Sequence, residues 1–133
     1  MSTHCGIAVK TENGYKTIYC HHDGYTSYML PMLVGNYNSE ELAAKLVSMG
    51  DASSINKNFE PTTMEHSFDN PEKDVCVFYV RDRKESWLAN SPQAYSTKQD
   101  LFKQFWYAYI FENGKWIAYA GGKKISDYTK YKY

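Results

Sequence analysis

Apolar and polar residues alternate from residue 4 to residue 10, with Cys5, Ile7 and Val9 on one face. Asn13-Gly14 follows, a dipeptide suited to a tight hairpin turn because both residues tolerate positive φ, and a second alternating run covers Tyr15 to His21. The pattern predicts a β-hairpin whose second strand ends at Asp23-Gly24. From Tyr25 to Tyr37 the period changes, with Tyr28, Met29, Met32 and Leu33 at helical spacing. Pro31 falls inside that run, which predicts a short helix or one that starts near Leu30 with Pro31 in its first turn. A second helix is predicted with Asn38 as N-cap, Glu41 three residues on, an apolar stripe of Leu42, Leu46, Val47 and Met49, and Gly50 as its stop.

Residues 51 to 74 show no period and are rich in Ser, Asn, Thr, Asp and Pro, so a long loop is expected, of the kind that carries function. Its second half is acidic: Glu60, Glu65, Asp69, Glu72 and Asp74 stand against Lys73. Val75 to Val80 is apolar on both faces and is expected as a central strand. Arg81 to Ser91 reads as polar and turn-like. Ser96 or Thr97 caps a short helix through Leu101, Phe102 and Phe105, and Asn113-Gly114 marks a second hairpin, Trp106 to Glu112 with Lys115 to Ala120. Two hairpins and one central strand predict an α+β fold: about five strands, mainly antiparallel, with two or three short helices packed on one face.

Length allows one domain, expected over residues 1–121 of 133, with residues 122–133 as a mobile, basic, Tyr-rich tail carrying Lys123, Lys124, Lys130 and Lys132. Lys plus Arg and Asp plus Glu are 15 each, a balance that argues against a dedicated non-specific DNA binder. No apolar run approaches the roughly 18 residues of a membrane span, and no signal peptide is recognisable, so a soluble, cytoplasmic protein without membrane partners is expected. Cys5, Cys20 and Cys76 are odd in number and widely spaced, which fits reduced thiols better than a disulfide framework. Thirteen tyrosines suit stacking and interfaces, and they equally suit strands.

The densest polar cluster is Cys20-His21-His22-Asp23-Gly24-Tyr25. His21 with Asp23 could offer two metal ligands, completed by His66 or Asp69, but the spacing matches no zinc pattern, and turn capping is the more economical reading; no metal or cofactor is expected. Cys20 could act as a nucleophile with His21 or His66 as base, although its place in an apolar strand favours a buried structural thiol. No nucleophile elbow, P-loop or dinucleotide fingerprint is present, so nothing compels an enzyme. If the strand continued, Arg81 and Arg83 would share a face and could grip a phosphate; alternatively they pair with the acidic loop.

The stretches IYCHHDGY, LVSMGDASSI, EHSFDNP and FYVRDRKE, in that order and followed by an aromatic hairpin, resemble a family of small phage and prophage proteins whose pattern runs YCHWDGYP, GD-x-SS, HSF-x-x-P, Y-x-RDRGE. The resemblance covers about residues 5 to 118. Cys20, His21, Asp23, Gly24 and Tyr25 match the first motif, Gly50, Asp51, Ser53 and Ser54 the second, His66, Ser67, Phe68 and Pro71 the third, and Tyr79, Arg81, Asp82 and Arg83 the fourth. His22 stands where Trp is usual, Thr26 where Pro is usual and Lys84 where Gly is usual. The resemblance implies a phage setting in the host cytoplasm and no agreed catalytic activity; proteins of this class often act by stoichiometric binding, sequestering a nucleotide-derived signal or occluding a host defence protein. The expected ligand site is His21, Asp23, Tyr25, His66, Arg81 and Arg83. Two alternatives are a small hydrolase or nuclease using His21, Asp23 and His66, and, less favoured by charge, a nucleic-acid binder using the tail. The Tyr-rich hairpin can pair across a two-fold axis, which makes a homo-oligomer one expectation, or it can cover its own core.

Overall fold

The computed structural model describes residues 3–125. Both expected hairpins form, and they use their Asn-Gly dipeptides differently. In the second, β6 (Tyr107–Glu112) and β7 (Lys115–Ala120) flank Asn113-Gly114, whose φ values of 54° and 79° match a tight two-residue turn. In the first, β1 (Cys5–Thr11) pairs with β2 (Gly14–Cys20) so that Thr11 faces Gly14 and the turn is Glu12-Asn13. Gly14 is therefore a strand residue at φ 146°, and a Cβ there would lie 2.3 Å from the Tyr95 carbonyl oxygen. The backbone of the neighbouring strand occupies the space a side chain would need.

β1 also pairs in parallel with β6, which joins the two hairpins into one sheet. On the other side, β2 pairs in parallel with β3 (Ala52–Ser54), and β3 pairs antiparallel with β4 (Val77–Phe78). β5 (Gln93–Tyr95) adds to the first half of β2 and β8 (Lys123–Lys124) to the end of β7. The order is β4-β3-β2-β1-β6-β7-β8 with β5 beside β2, an eight-stranded mixed sheet. The expected count of five strands is corrected by additional strands of two or three residues, too short to carry a readable period. The pairing is mainly antiparallel, as expected, with only β1–β6 and β2–β3 parallel among the described strands. Of the expected basic tail, Lys123 and Lys124 pair with β7; residues 126–133, with Lys130 and Lys132, lie outside the described residues.

Helices cover both faces, not one. α1 (Thr26–Asn36) and α2 (Glu40–Ser48) set Met29, Leu33, Ala43, Leu46 and Val47 against Cys5, Ile7, Ile18, Cys20 and Tyr109. α5, the helix over Lys98–Gln104, sets Leu101, followed by Phe105, against Ala8, Tyr15, Ala108, Ile110 and Tyr119 on the reverse side. The cause is in β1 and β6, whose alternate residues are apolar in both directions, so each face must be buried. α1 begins at Thr26 and carries Pro31 in its interior. The α2 cap is Ser39, not Asn38, with its hydroxyl accepting the Leu42 N–H at 3.0 Å. The α5 cap is Thr97, one of the two residues expected. No helix among the described residues is long and apolar enough to cross a membrane.

The stretch expected as a central strand over 75–80 is the main departure. Only Val77 and Phe78 join the sheet, at its edge, Val75 makes an isolated bridge with Asn58, and the chain turns after Phe78 into α3 (Tyr79–Arg83), then α4 (Trp87–Asn90). Asp82 causes the turn: its Oδ2 accepts the Phe78 N–H at 2.8 Å, offering the backbone an alternative to a longer ladder. Both-faced burial of this stretch comes from the 51–74 loop folding over it, as in the bonds from Cys76 N–H to Asn58 O (2.9 Å) and from Asn58 N–H to Asp74 O (3.0 Å).

Candidate functional site: an imidazole and aromatic strip

The CHHDGY segment is pinned at several points. His21 and His22 donate their N–H groups to Ala52 O and Ser53 O at 3.0 and 2.9 Å, which ties the exit of β2 to β3. Gly24 N–H bonds Thr3 O at 2.7 Å, and the buried Tyr109 hydroxyl donates to Gly24 O at 2.7 Å. Gly24 has no room for a side chain, since a Cβ would lie 2.7 Å from Cys5 Cβ. This close approach brings His4, just ahead of β1, beside the residues that leave β2.

The result is a run of rings on the sheet face beyond the cover of α5. Cys20 faces the α1 and α2 core, so Tyr19 and His21 point the other way. Tyr19 lies 5.7 Å from His4 and 5.9 Å from His21 between ring centroids, and His21 meets His22 edge-on at 4.6 Å. The Tyr19 hydroxyl and His21 Nδ1 are 2.6 Å apart. Asp51, just before β3, accepts the Tyr19 N–H at 3.0 Å, and the Asp51 carbonyl accepts the Tyr79 N–H at 3.2 Å, which ties the start of α3 to the same residue that holds Tyr19. Tyr79 continues to Phe68 at 5.9 Å, and the Arg83 guanidinium sits over Phe68 at 4.4 Å. Imidazoles thus occupy one end of the strip and an arginine the other.

The electrostatics follow from that arrangement. Burial, with the charges of His22 and His4, holds the His21 imidazole below the ordinary histidine range. Burial pushes the Tyr19 hydroxyl up, helped by Cys20 and Asp51, and burial pushes the Tyr79 hydroxyl up as well. Burial also raises the Asp51 carboxyl, against the pull of the Tyr19 N–H. At neutral pH the middle of the strip is a set of uncharged, flat, hydrogen-bonding rings.

The sequence-predicted residues divide into three groups. His21 and Arg83 belong to the strip. Asp23, exposed and at φ 58°, and Tyr25, whose ring meets Tyr28 at 6.2 Å, belong to the start of α1, where the Asp23 charge acts on the Tyr28 hydroxyl. His66 and Arg81 form a third, interior group. The His66 side chain is 1% exposed; its Nδ1 accepts the Glu72 N–H at 2.9 Å, which places the ring proton on Nε2, 3.4 Å from Asp82 Oδ2. Arg81 donates to Asp82 Oδ1 and Oδ2 at 2.9 and 3.0 Å, to Phe59 O at 2.8 Å and to Cys76 O at 2.8 Å, with its guanidinium 5.0 Å from the Phe78 ring centroid. Burial pushes the Asp82 carboxyl up, but hydrogen bonds from Arg81 and Phe78 and the Arg81 charge outweigh it and hold the group below the ordinary carboxylate range.

One expectation is corrected here. Arg81 and Arg83 do not share the face of a strand: they sit two positions apart on a helical turn, about 200° around its axis, and point to different surroundings. Arg81's donors are spent on the fold. The hydrolase alternative needs His66 as a base facing substrate, and its ring is enclosed with Nδ1 already occupied. Among the described residues, no group of three or more His, Cys, Asp and Glu side chains is gathered so as to hold a metal ion. The three cysteines are buried and form no disulfide with one another.

His4, Tyr19, Phe68 and Tyr79 are the strip members that sequence reasoning left out of the site. The signal for Tyr19 was its spacing: Tyr19 and His21 are two apart and share a strand face. No known protein family, curated protein or solved structure matches this chain.

Proposed function

We propose that the chain is a stoichiometric binding protein that takes a planar, anionic ligand on the strip, with a nucleotide-derived signal as the ligand class. One observation carries the reading: two sets of flat rings, His21 with Tyr19 and Tyr79 with Phe68, are tied together through Asp51, with protonatable imidazoles at one end and an arginine at the other. Rings of this kind stack on a nucleobase with little sequence or orientation preference, each contact being worth about 1–3 kcal/mol. Arg83, 54% exposed and paired with Glu85 at 3.4 Å, adds positive charge at the other end of the strip, which favours an anionic ligand.

The ordered motifs of the sequence support a phage or prophage setting, and with it a role in the host cytoplasm against a defence system that signals through nucleotides. Native mass spectrometry of protein isolated from cells, before and after denaturation, tests the reading. A nucleotide-sized mass released from the wild type and missing from Tyr19→Ala and Arg83→Ala is the expected result. No carried mass, together with no binding of added ribonucleotides, overturns it and makes a host defence protein the next target. The nucleic-acid alternative rests chiefly on the tail lysines and tyrosines, most of which lie outside the described residues.

A further inference from the structure

At the open end of the first hairpin, His4 and His21 flank Tyr19 at 5.7 and 5.9 Å between ring centroids, and His22 meets His21 at 4.6 Å. Cys5 and Cys20 lie beneath it on β1 and β2, Asp51 holds the Tyr19 N–H from the β3 side, and Tyr79 approaches from α3 with Glu85 acting on it from beyond. The charges that act on His21 are those of His22 and His4. Three groups able to become cations are therefore packed together, and charge on His22 or His4 opposes the charging of His21.

We propose that the imidazole end of the strip is the phosphate subsite, and that a ligand phosphate binds there together with a proton taken from solvent by the His4–His21–His22 cluster. The proposal rests on the ligand reading above and specifies which end of the strip receives the anion. The step is a simple proton transfer: a ring nitrogen of the cluster forms an N–H bond, the buffer acid gives up its proton, and the imidazolium so formed pairs with the phosphate oxygen. Without the anion His21 resists protonation, through burial first and then through the charges of His22 and His4; the anion offsets that penalty. The sign follows by linkage. An imidazole whose affinity for protons is low in the free protein and higher in the complex makes the ligand bind more tightly as pH falls, by up to about tenfold per pH unit for one proton.

Cyclic AMP and cyclic GMP are suitable probes because a phosphodiester keeps its single charge throughout the histidine range. Calorimetric titration at about pH 6.5 in two buffers of different ionisation enthalpy reads the proton count directly. The expected result is uptake of roughly one proton per ligand, and affinity that rises as pH is lowered from about 7.5 to about 5.5. His21→Gln should flatten that profile, whereas Arg83→Ala should weaken binding and keep the proton uptake. Binding of either probe without proton exchange overturns this proposal and leaves the ligand reading standing. Failure of both probes to bind at either pH overturns this proposal, and the ligand reading falls with it when added ribonucleotides also fail to bind and no mass is carried. Should His21→Gln fail to fold, the Cε1–H resonances of the wild-type histidines give the same answer. Their titration midpoints should move up on ligand binding, and unmoved midpoints refute the coupling.

Discussion

Arg81 and Asp82 are neighbours in sequence, and they form the buried ion pair on which the 51–83 region is folded. The Arg81 Nε reaches Asp82 Oδ1 at 2.9 Å, and the remaining Arg81 donors fasten two loop carbonyls, Phe59 O and Cys76 O. Asp82 in turn closes the α3 turn through Phe78 N–H and faces His66. One charge pair therefore joins the end of β4, the long loop and the enclosed histidine.

Removing one partner of a buried pair leaves the other uncompensated, at about 3–5 kcal/mol. Asp82→Ala should lower stability by about that amount in urea unfolding, and Arg81→Ala by a smaller amount because its side chain is 21% exposed. Arg83→Ala should change stability by less than about 0.5 kcal/mol. Equal losses for Arg81→Ala and Arg83→Ala would contradict the division between a structural and a ligand-facing arginine.

Acid should destabilise the protein in two steps. The Asp82 carboxyl is held below its unfolded value, so its contribution is present above the ordinary Asp pKa of about 3.9 and is lost as pH falls through the folded value. His21 also sits below its unfolded value, so the unfolded chain binds protons first and stability declines as pH drops through about 6.5. Unfolding midpoints measured across pH should show both declines, and His21→Gln should erase only the upper one.

Asp51 works in the opposite direction. Its carboxyl is raised by burial, so the folded state holds that proton more readily and stability is lost as pH rises through the folded value. Asp51→Asn keeps an oxygen to accept the Tyr19 N–H and should raise the unfolding midpoint at neutral pH. A lower midpoint would mean that the charge itself is needed.

Two glycines should respond oppositely to alanine. Gly14→Ala forces a Cβ against the Tyr95 backbone at positive φ and should cost about 1–3 kcal/mol. Gly35, inside α1, has nothing within 4 Å of the place a Cβ would take, and Gly35→Ala should stabilise by about 0.5–1 kcal/mol. Thermal unfolding of the two variants distinguishes the cases.

Long periodic segments were legible in the sequence and short ones were not. The alternation of Cys5, Ile7 and Val9 predicted the right face for β1, and the Thr97 cap and the Asn113-Gly114 turn stand where the pattern put one of its options. The first turn misled by shifting the register two residues. Taking Asn13-Gly14 as the loop leaves every side chain on its correct face but moves each cross-strand partner. The observed rung of Cys5 with Cys20 makes His4 and His21 the next pair, a juxtaposition hidden by the shifted register. Val75–Val80 misled for a different reason: its apolar residues are buried by a loop, and Asp82, a side chain with no periodic signature, ends the strand. The strip went unseen because its rings come from four separate segments, and because the tyrosine content was better explained by the preference of Tyr for strands.

The parallel pairing of β1 with β6 has a consequence for synthesis. Gly6 meets Ala108, roughly a hundred residues later, so the first hairpin leaves the ribosome long before its central partner exists. Until the closing hairpin emerges, β1 presents an unsatisfied row of amide and carbonyl groups beside uncovered Ile7 and Ala8, a template for pairing with another nascent chain. Folding is bound to be slow for so non-local a contact, and the yield of native protein should depend more on how long that edge stays open than on the stability reached at the end.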